Sequence, residues 1–152
     1  MIDSTDKKIL NLLQKDCKTS IKEIASKLSL TTTPIYERIK KMERDHIISK
    51  YVAIINKKSA GKNITAFCNV SLKEHSKEFI HQFEKQIIDI TEIIECYHVA
   101  GIYDYMLKVV VNDMDAYHYF IYNKLSAIEN IGNVRSSFVM NELKESTLIQ
   151  FD

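Results

Sequence analysis

The chain has 152 residues, 45% of them apolar and 27% charged, with a formal net charge of +1. That composition suits one ordinary domain or two small ones with a real core, and it excludes disordered, collagen-like and mucin-like classes. No apolar run approaches the roughly 20 residues needed to cross a bilayer, and "MIDSTDKKIL" lacks the basic-then-apolar layout of a secretory leader.

A cytoplasmic protein is therefore expected. The three cysteines, Cys17, Cys68 and Cys96, lie far apart and form no C-x-x-C pair. They read as reduced thiols rather than a zinc ribbon or a redox motif. Charge is uneven along the chain. Residues 1–50 hold 11 Lys/Arg against 7 Asp/Glu, a net of +4, and residues 51–152 hold 10 against 13, a net of −3. A basic front joined to an acidic back suggests two tasks on one chain.

The front half predicts three short helices. "STDKKILNLLQKD" sets Ile9, Leu10, Leu12 and Leu13 on a broad apolar face, with Asp3 or Ser4 as cap. "SIKEIASKL" opens on Ser20 with Glu23 three residues on, a capping-box spacing. Only Ser29, Leu30 and Thr31 separate it from the next helix, which is a helix-turn-helix arrangement. In "TTTPIYERIKKMERD", Thr31 is placed to cap and Pro34 sits in the first turn, where its missing N–H costs little. Ile35, Ile39 and Met42 mark a buried face; Thr33, Glu37, Lys40 and Arg44 lie opposite, flanked by Tyr36, Arg38 and Lys41.

"IISKYVAIIN" predicts a strand, and "KKSAGKN" a polar connector; the domain boundary falls in residues 56–63. Beyond it, "ITAFCNVSL" alternates, with Ile64, Ala66, Cys68, Val70 and Leu72 on one face. "SKEFIHQFEKQIIDI" predicts a helix. "IIECYHVAG" and "YDYMLKVVV" predict strands about a turn at Gly101. "DMDAYHYFIYNKLSAI" predicts a second helix with Met114, Tyr117, Ile121, Leu125 and Ile128 on one stripe, and "NVRSSFVMNEL" a fourth strand. The order β-α-β-β-α-β is the ferredoxin-like double split, with both helices on one sheet face. The bare face is expected to carry apolar residues and to be covered by a second subunit.

Two segments carry the candidate chemistry. A helix-turn-helix presents the start of its second helix to base edges, so Thr33, Tyr36 and Glu37 are candidates for base contact. The hydroxyls of Thr31 and Thr32 sit at the same helix N-terminus, which attracts phosphate. Arg38, Lys40, Lys41 and Arg44 are candidates for phosphates, with Ser20 and Lys22 of the preceding helix beside them. A Lys/Arg-rich helix face is more often simply solvated, and Glu37 four residues before Lys41 is a pair that would neutralise part of it. In "HVAGIYDYML", Gly101 allows a sharp turn and close approach of a ligand. Turn N–H groups could hold a carboxylate, and Asp104 could accept from an ammonium group. The bland alternative is a plain hairpin.

The histidines do not form a metal set. His75 and His81 are six apart, and Cys96 with His98 lacks further ligands nearby. No P-loop, dinucleotide fingerprint or nucleophile elbow is present, so no cofactor and no catalytic residue is assigned.

"STDKKILNLLQKD", "LTTTPIYERIKKMERDHII" and "VAGIYDYMLKVVV" resemble the Lrp/AsnC (feast/famine) family of transcription regulators, over residues 3–150. The resemblance implies an α+β protein of three parts. Residues 1–50 would form a winged-type helix-turn-helix that binds double-stranded DNA. Residues 51–63 would form a β-strand hinge, and residues 64–152 a ferredoxin-like effector and dimerisation domain. It further implies homodimers that assemble further, commonly to octamers, and an amino-acid effector. By position, the effector residues would be His98, Ala100, Gly101, Ile102, Tyr103 and Asp104, with Ser126 from an adjacent subunit. Ile102 departs from the polar residue many members carry there, which leaves the ligand open. Two alternatives share the fold: a sirohaem-decarboxylase-like enzyme, and an architectural DNA-binding protein indifferent to ligands.

Overall fold

A computed structural model describes residues 2–151. The chain forms two compact units. The first runs through Ile54 and also takes in the segment from Leu143 onward; the second is Ile55–Glu142.

The first unit contains helices α1 (Ser4–Lys15), α2 (Ile21–Leu28) and α3 (Thr32–Arg44). Asp3 caps α1 by accepting from the N–H groups of Thr5 and Asp6, both at 2.8 Å, and the Asp6 carboxylate accepts from the Asp3 N–H in return. This is a capping box built from two acids. Ser20 caps α2 through the Glu23 N–H. Ile9, Leu10, Leu13, Ile24, Ala25, Ile35, Ile39 and Met42, each under a tenth exposed, close one core between the three helices. The turn from α2 to α3 passes through Ser29 at φ 55°. The Leu30 N–H bonds back to the Ala25 carbonyl at 2.9 Å, so the last carbonyls of α2 are satisfied. A left-handed residue with a Cβ is strained, and glycine is its usual occupant.

The second unit contains β1 (Ile64–Leu72), α4 (Lys77–Ile88), β2 (Ile93–His98), β3 (Tyr105–Val111), α5 (Met114–Tyr119) with a π-helical continuation over Phe120–Leu125, and β4 (Ile131–Phe138). The sheet order is β2-β3-β1-β4, with every pairing antiparallel. This is the ferredoxin-like sheet expected. Alternate residues of β1 are buried with Leu107, Val109, Phe83, Ile87 and Phe120. Gly132 lies close to the β1 backbone, where a Cβ would meet the Ser71 carbonyl oxygen at 3.1 Å.

Three expectations need correction. Residues 47–56 form no strand in this chain, because no strand here pairs with them, and an unpaired segment has no ladder to hold it. Val52, Ile54 and Ile55 are left 58%, 71% and 63% exposed. No strand occurs among the described residues up to Ile54, so the three helices carry no wing. The second predicted helix does not run as one α-helix. The Ser126 N–H bonds to the Ile121 carbonyl, five residues back. That wider turn lets Phe120 and Leu125 both bury fully, and Met114 leaves the stripe at 41% exposed. The open sheet face does carry apolar residues, Phe67, Met106 and Val110, as expected, together with polar ones. Glu95 and Lys108 pair across it at 3.0 Å, beside Tyr97, Asn69 and Arg135.

Replacing Ser29 with glycine relieves the left-handed strain. Ser29→Gly is expected to stabilise the helical unit by about 1 kcal/mol, read as a thermal midpoint raised by roughly 2–4 °C. An unchanged or lowered midpoint contradicts the strained turn.

Candidate nucleic-acid interface

Helix α3 is held by one face and open on the other. Ile35, Ile39 and Met42 are buried, while Thr31, Thr32, Thr33, Tyr36, Glu37, Lys40, Lys41 and Arg44 are exposed. Ser20 and Lys22, at the start of α2, are exposed too.

The N-terminus of α3 differs from those of its neighbours. Helices α1 and α2 have side-chain caps and an acid in the first turn, Asp6 and Glu23. Thr31 makes no side-chain cap bond, and the first turn of α3 holds no acid. The partial positive charge at this helix end is therefore not neutralised from within the chain. Three threonine hydroxyls and unpaired backbone N–H groups stand at one exposed end, a natural anion site.

The basic residues divide by partner. Arg38 is half-buried and donates inward to Asp3 and to Asp6, the latter at 2.8 Å. Its guanidinium ties α3 to the start of α1 rather than standing on the outer face. Lys40 pairs with Glu43 at 2.8 Å and lies 5.8 Å from the Tyr36 ring centroid. Glu43 also accepts from the Tyr51 hydroxyl at 3.0 Å. Burial, followed by this bond, pushes the Tyr51 phenol up to about 12. Arg44 is 75% exposed and only 3.6 Å from Asp45, and Lys41 is exposed. The Glu37–Lys41 pairing anticipated from spacing does not form; Lys40 takes Glu43 instead.

The second candidate segment runs from His98 to Asp104. His98 ends β2, is exposed, and stacks on the Tyr105 ring with centroids 4.6 Å apart. Ala100, Gly101 and Ile102 are exposed, Ile102 at 90%, and Tyr103 is half-buried. Gly101 is not in the left-handed region, and a Cβ there would meet nothing within 4 Å. Turn geometry therefore does not require it, and the space above it is open. Asp104 is occupied. One oxygen accepts from the Leu72 N–H at 2.7 Å and the other faces His75 Nε2 at 2.9 Å. The Leu72 N–H, ahead of His75, holds its carboxyl below the usual carboxylate range. Ser126 is exposed at the end of the π-helical turn, and no hydrogen bond among the described residues joins its side chain to the 98–104 segment.

Two partners escaped the sequence. His75, 29 residues from Asp104, carries no periodic signal, and neither does the C-terminal tail. Gln14 brackets Ile149 there, accepting from its N–H at 2.8 Å and donating to its carbonyl at 3.1 Å, while Phe151 packs on the helical core. Asp3 was visible as a candidate helix cap, though its bond to Arg38, and the part Asp6 takes in both, was not.

A three-helix unit with an uncapped, hydroxyl-tipped third helix, followed by a ferredoxin-like sheet, defines a helix-turn-helix regulator. Residues 2–43 match the AsnC-type helix-turn-helix domain, and residues 65–149 match the Lrp/AsnC ligand binding domain. The chain is 34% identical to the DNA-binding transcriptional activator DecR of Escherichia coli K12, over the whole of both chains. It is 33% identical to the leucine-responsive regulatory protein of the same strain, over 95% of this chain and 88% of that one. An AsnC family transcriptional regulator from Agrobacterium tumefaciens superimposes with TM-score 0.93 at 35% identity, covering 97% of this chain and 96% of that chain. A transcriptional regulator from Neisseria meningitidis, solved as a complex with L-Met, does so with TM-score 0.92 at 28% identity, covering 97% and 95%.

The chain belongs to the Lrp/AsnC family. It is a transcriptional regulator of that type, not an enzyme. No helix among the described residues is long and apolar enough to cross a membrane.

Removing Arg38 strands the nearly buried Asp6 carboxylate. Arg38→Ala is expected to lower stability by about 1–2 kcal/mol, the lower part of the range for charge-assisted bonds because Arg38 is partly exposed. The Asp6 N–H, then Arg38, depress the Asp3 carboxyl below its ordinary 3.8. A depressed acid stabilises the fold above that value and loses the contribution as pH falls through its folded pKa. The difference between wild type and Arg38→Ala in thermal unfolding should thus be full at neutral pH and shrink in acid. A difference that grows in acid contradicts the tie.

Proposed function

We propose that the chain is a sequence-specific DNA-binding regulator whose assembly or DNA affinity responds to a small effector, an amino acid being the class best supported. The observation that carries the DNA half is the outer face of α3, where exposed Thr31–Thr33, Tyr36, Glu37, Lys40, Lys41 and Arg44 lie opposite a fully buried apolar stripe. Thr33, Tyr36 and Glu37 meet base edges. Lys41 and Arg44 hold phosphates, and Lys40 joins them when it leaves Glu43. Ser20, Lys22, Thr31 and Thr32 border the same groove. Arg38 serves the site indirectly, by fixing the angle of α3 against α1.

Residues 1–50 then carry DNA contact, and the domain beginning at residue 64 carries effector binding and self-association. The exposed apolar run at Val52, Ile54 and Ile55 supports a homodimer in which residues 51–55 of the 51–63 hinge pair between two copies, because they supply both apolar surface and open backbone groups, while residues 56–62 are already folded into a turn. Two recognition helices held by such a dimer fit half-sites about one helical turn, roughly 10 bp, apart or a multiple of it. Further assembly of dimers, to octamers, follows the family.

The effector reading rests on the open space above Gly101 and on the Neisseria relative's complex with L-Met. An amino-acid carboxylate meets the turn at His98–Tyr103, with Ser126 of a second subunit beside it. Its ammonium group has to compete with His75 for Asp104. One observation favours a ligand-independent, architectural reading instead: both Asp104 oxygens already have partners.

Lys41→Ala combined with Arg44→Ala is expected to weaken binding to all duplex sequences alike and to reduce the salt slope by about 1–2, at roughly 0.9 per phosphate lost. Unchanged affinity at low salt removes both from the interface. A thermal-shift screen across the twenty amino acids decides the effector question, since a ligand specific for the folded form must raise its midpoint. A shift with one or a few amino acids supports the effector reading; no shift with any supports the architectural one.

A further inference from the structure

The connector that begins the second unit is a built turn. Asn56 opens it, its side chain accepting from the Ser59 N–H at 3.0 Å. Gly61, at φ 77°, closes it, with the Lys62 N–H on the Lys57 carbonyl at 2.8 Å and the Gly61 N–H on the Lys58 carbonyl at 3.0 Å. That is a single helical turn ended by a Schellman motif. It holds three lysines, Lys57, Lys58 and Lys62, at fixed places on six residues of chain.

Their partners differ. Lys57 is 21% exposed and pairs with Glu142 at 2.9 Å. Lys58 and Lys62 are exposed and make no ion pair among the described residues. Between the turn and residues 139–142 lies a cleft of about 70 Å³, lined by all three lysines with Asn63, Thr65 and Asn141. The surroundings make the turn an exception. Apart from these three, residues 55–142 hold six basic side chains against eleven acidic ones. A domain of that balance repels a polyanion on average, and a local basic island lowers that repulsion where it stands.

We propose that the Lys57–Lys62 turn is a second contact with the DNA backbone, separate from helix α3. It takes phosphate groups and reads no bases. Lys58 and Lys62 supply the charge, the capped turn fixes their places, and Glu142 opposes the contact by standing as a negative charge beside it. The proposal rests on the DNA-binding reading above and adds a contact that the recognition helix does not provide.

The test is the salt dependence of full-length protein binding to one operator-containing duplex and one random duplex. Lys58→Ala combined with Lys62→Ala should lower affinity several-fold on both duplexes and reduce the salt slope by about 1–2. The ratio between the two duplexes should stay constant. Glu142→Gln should act in the opposite direction, tightening binding to both duplexes, because it removes a negative charge from beside the turn. An unchanged slope in the double-lysine variant overturns the proposal, as does weaker binding in Glu142→Gln. The α3 variant with Lys41 and Arg44 removed runs alongside. If it loses binding while the turn variants match wild type, the recognition helix stands and the second contact falls. If it binds as wild type, the recognition-helix reading fails on its own account.

Discussion

Helix α3 must be gripped along one side and left bare along the other, and most of the first unit exists to meet that condition. Ile35, Ile39 and Met42 recur at i, i+4 and i+7 and are almost completely buried against α1 and α2. Apolar contact alone allows a helix to slide or roll, because burial is not directional. The ion pair of Arg38 with Asp3 and Asp6 adds direction. It joins the middle of α3 to the first turn of α1, and Asp6 is only 10% exposed there, so a rolled helix would leave a carboxylate stranded. The same two acids form the α1 capping box. One cluster thus starts a helix and orients another, and what remains outward is the threonine-tipped, basic face.

The elements visible in the sequence were those whose signals are local. Alternation in β1, the Ser20 cap and the apolar stripe of α3 need only neighbouring residues, and each appears in the structure; Asp3 rather than Ser4 caps α1, and the return bond of the Ser20–Glu23 box does not form, since the Glu23 carboxylate takes Lys27. What stayed hidden depends on partners distant along the chain. Arg38 was placed on the outer face because its helical angle flanks Lys40 and Arg44; its true partners lie 32 and 35 residues away. Asp104 looked available because nothing adjacent marks His75 or the Leu72 N–H as its partners. The π-helical turn was missed because a stripe drawn at 3.6 residues cannot anticipate one wider turn, and the wider turn is what buries Phe120. Residues 47–56 have strand composition, but a strand is a relation between two segments, and this chain offers them no second one.

Ile54 ends the first unit, Ile55 begins the second, and both side chains remain mostly exposed. The chain also passes between the units twice, once after Ile54 and once after Glu142. The returning tail is fixed to α1 by the two Gln14–Ile149 bonds. An effector bound to the second unit, as proposed, would have two covalent routes to the first. It can alter DNA affinity only as far as it binds the DNA-competent arrangement more tightly than the alternatives.

The central claim is that the exposed face of α3 is the surface that meets DNA. Amide chemical shifts and exchange rates of the full-length protein, with and without duplex DNA, test it most directly. The N–H groups of Thr32 and Thr33 lie in the first helical turn, where no intrahelical acceptor protects them. The account predicts that the largest shifts and the strongest new protection fall within residues 31–44, centred on those two amides. Protection confined to other surfaces, with residues 31–44 unchanged at saturating DNA, would contradict it.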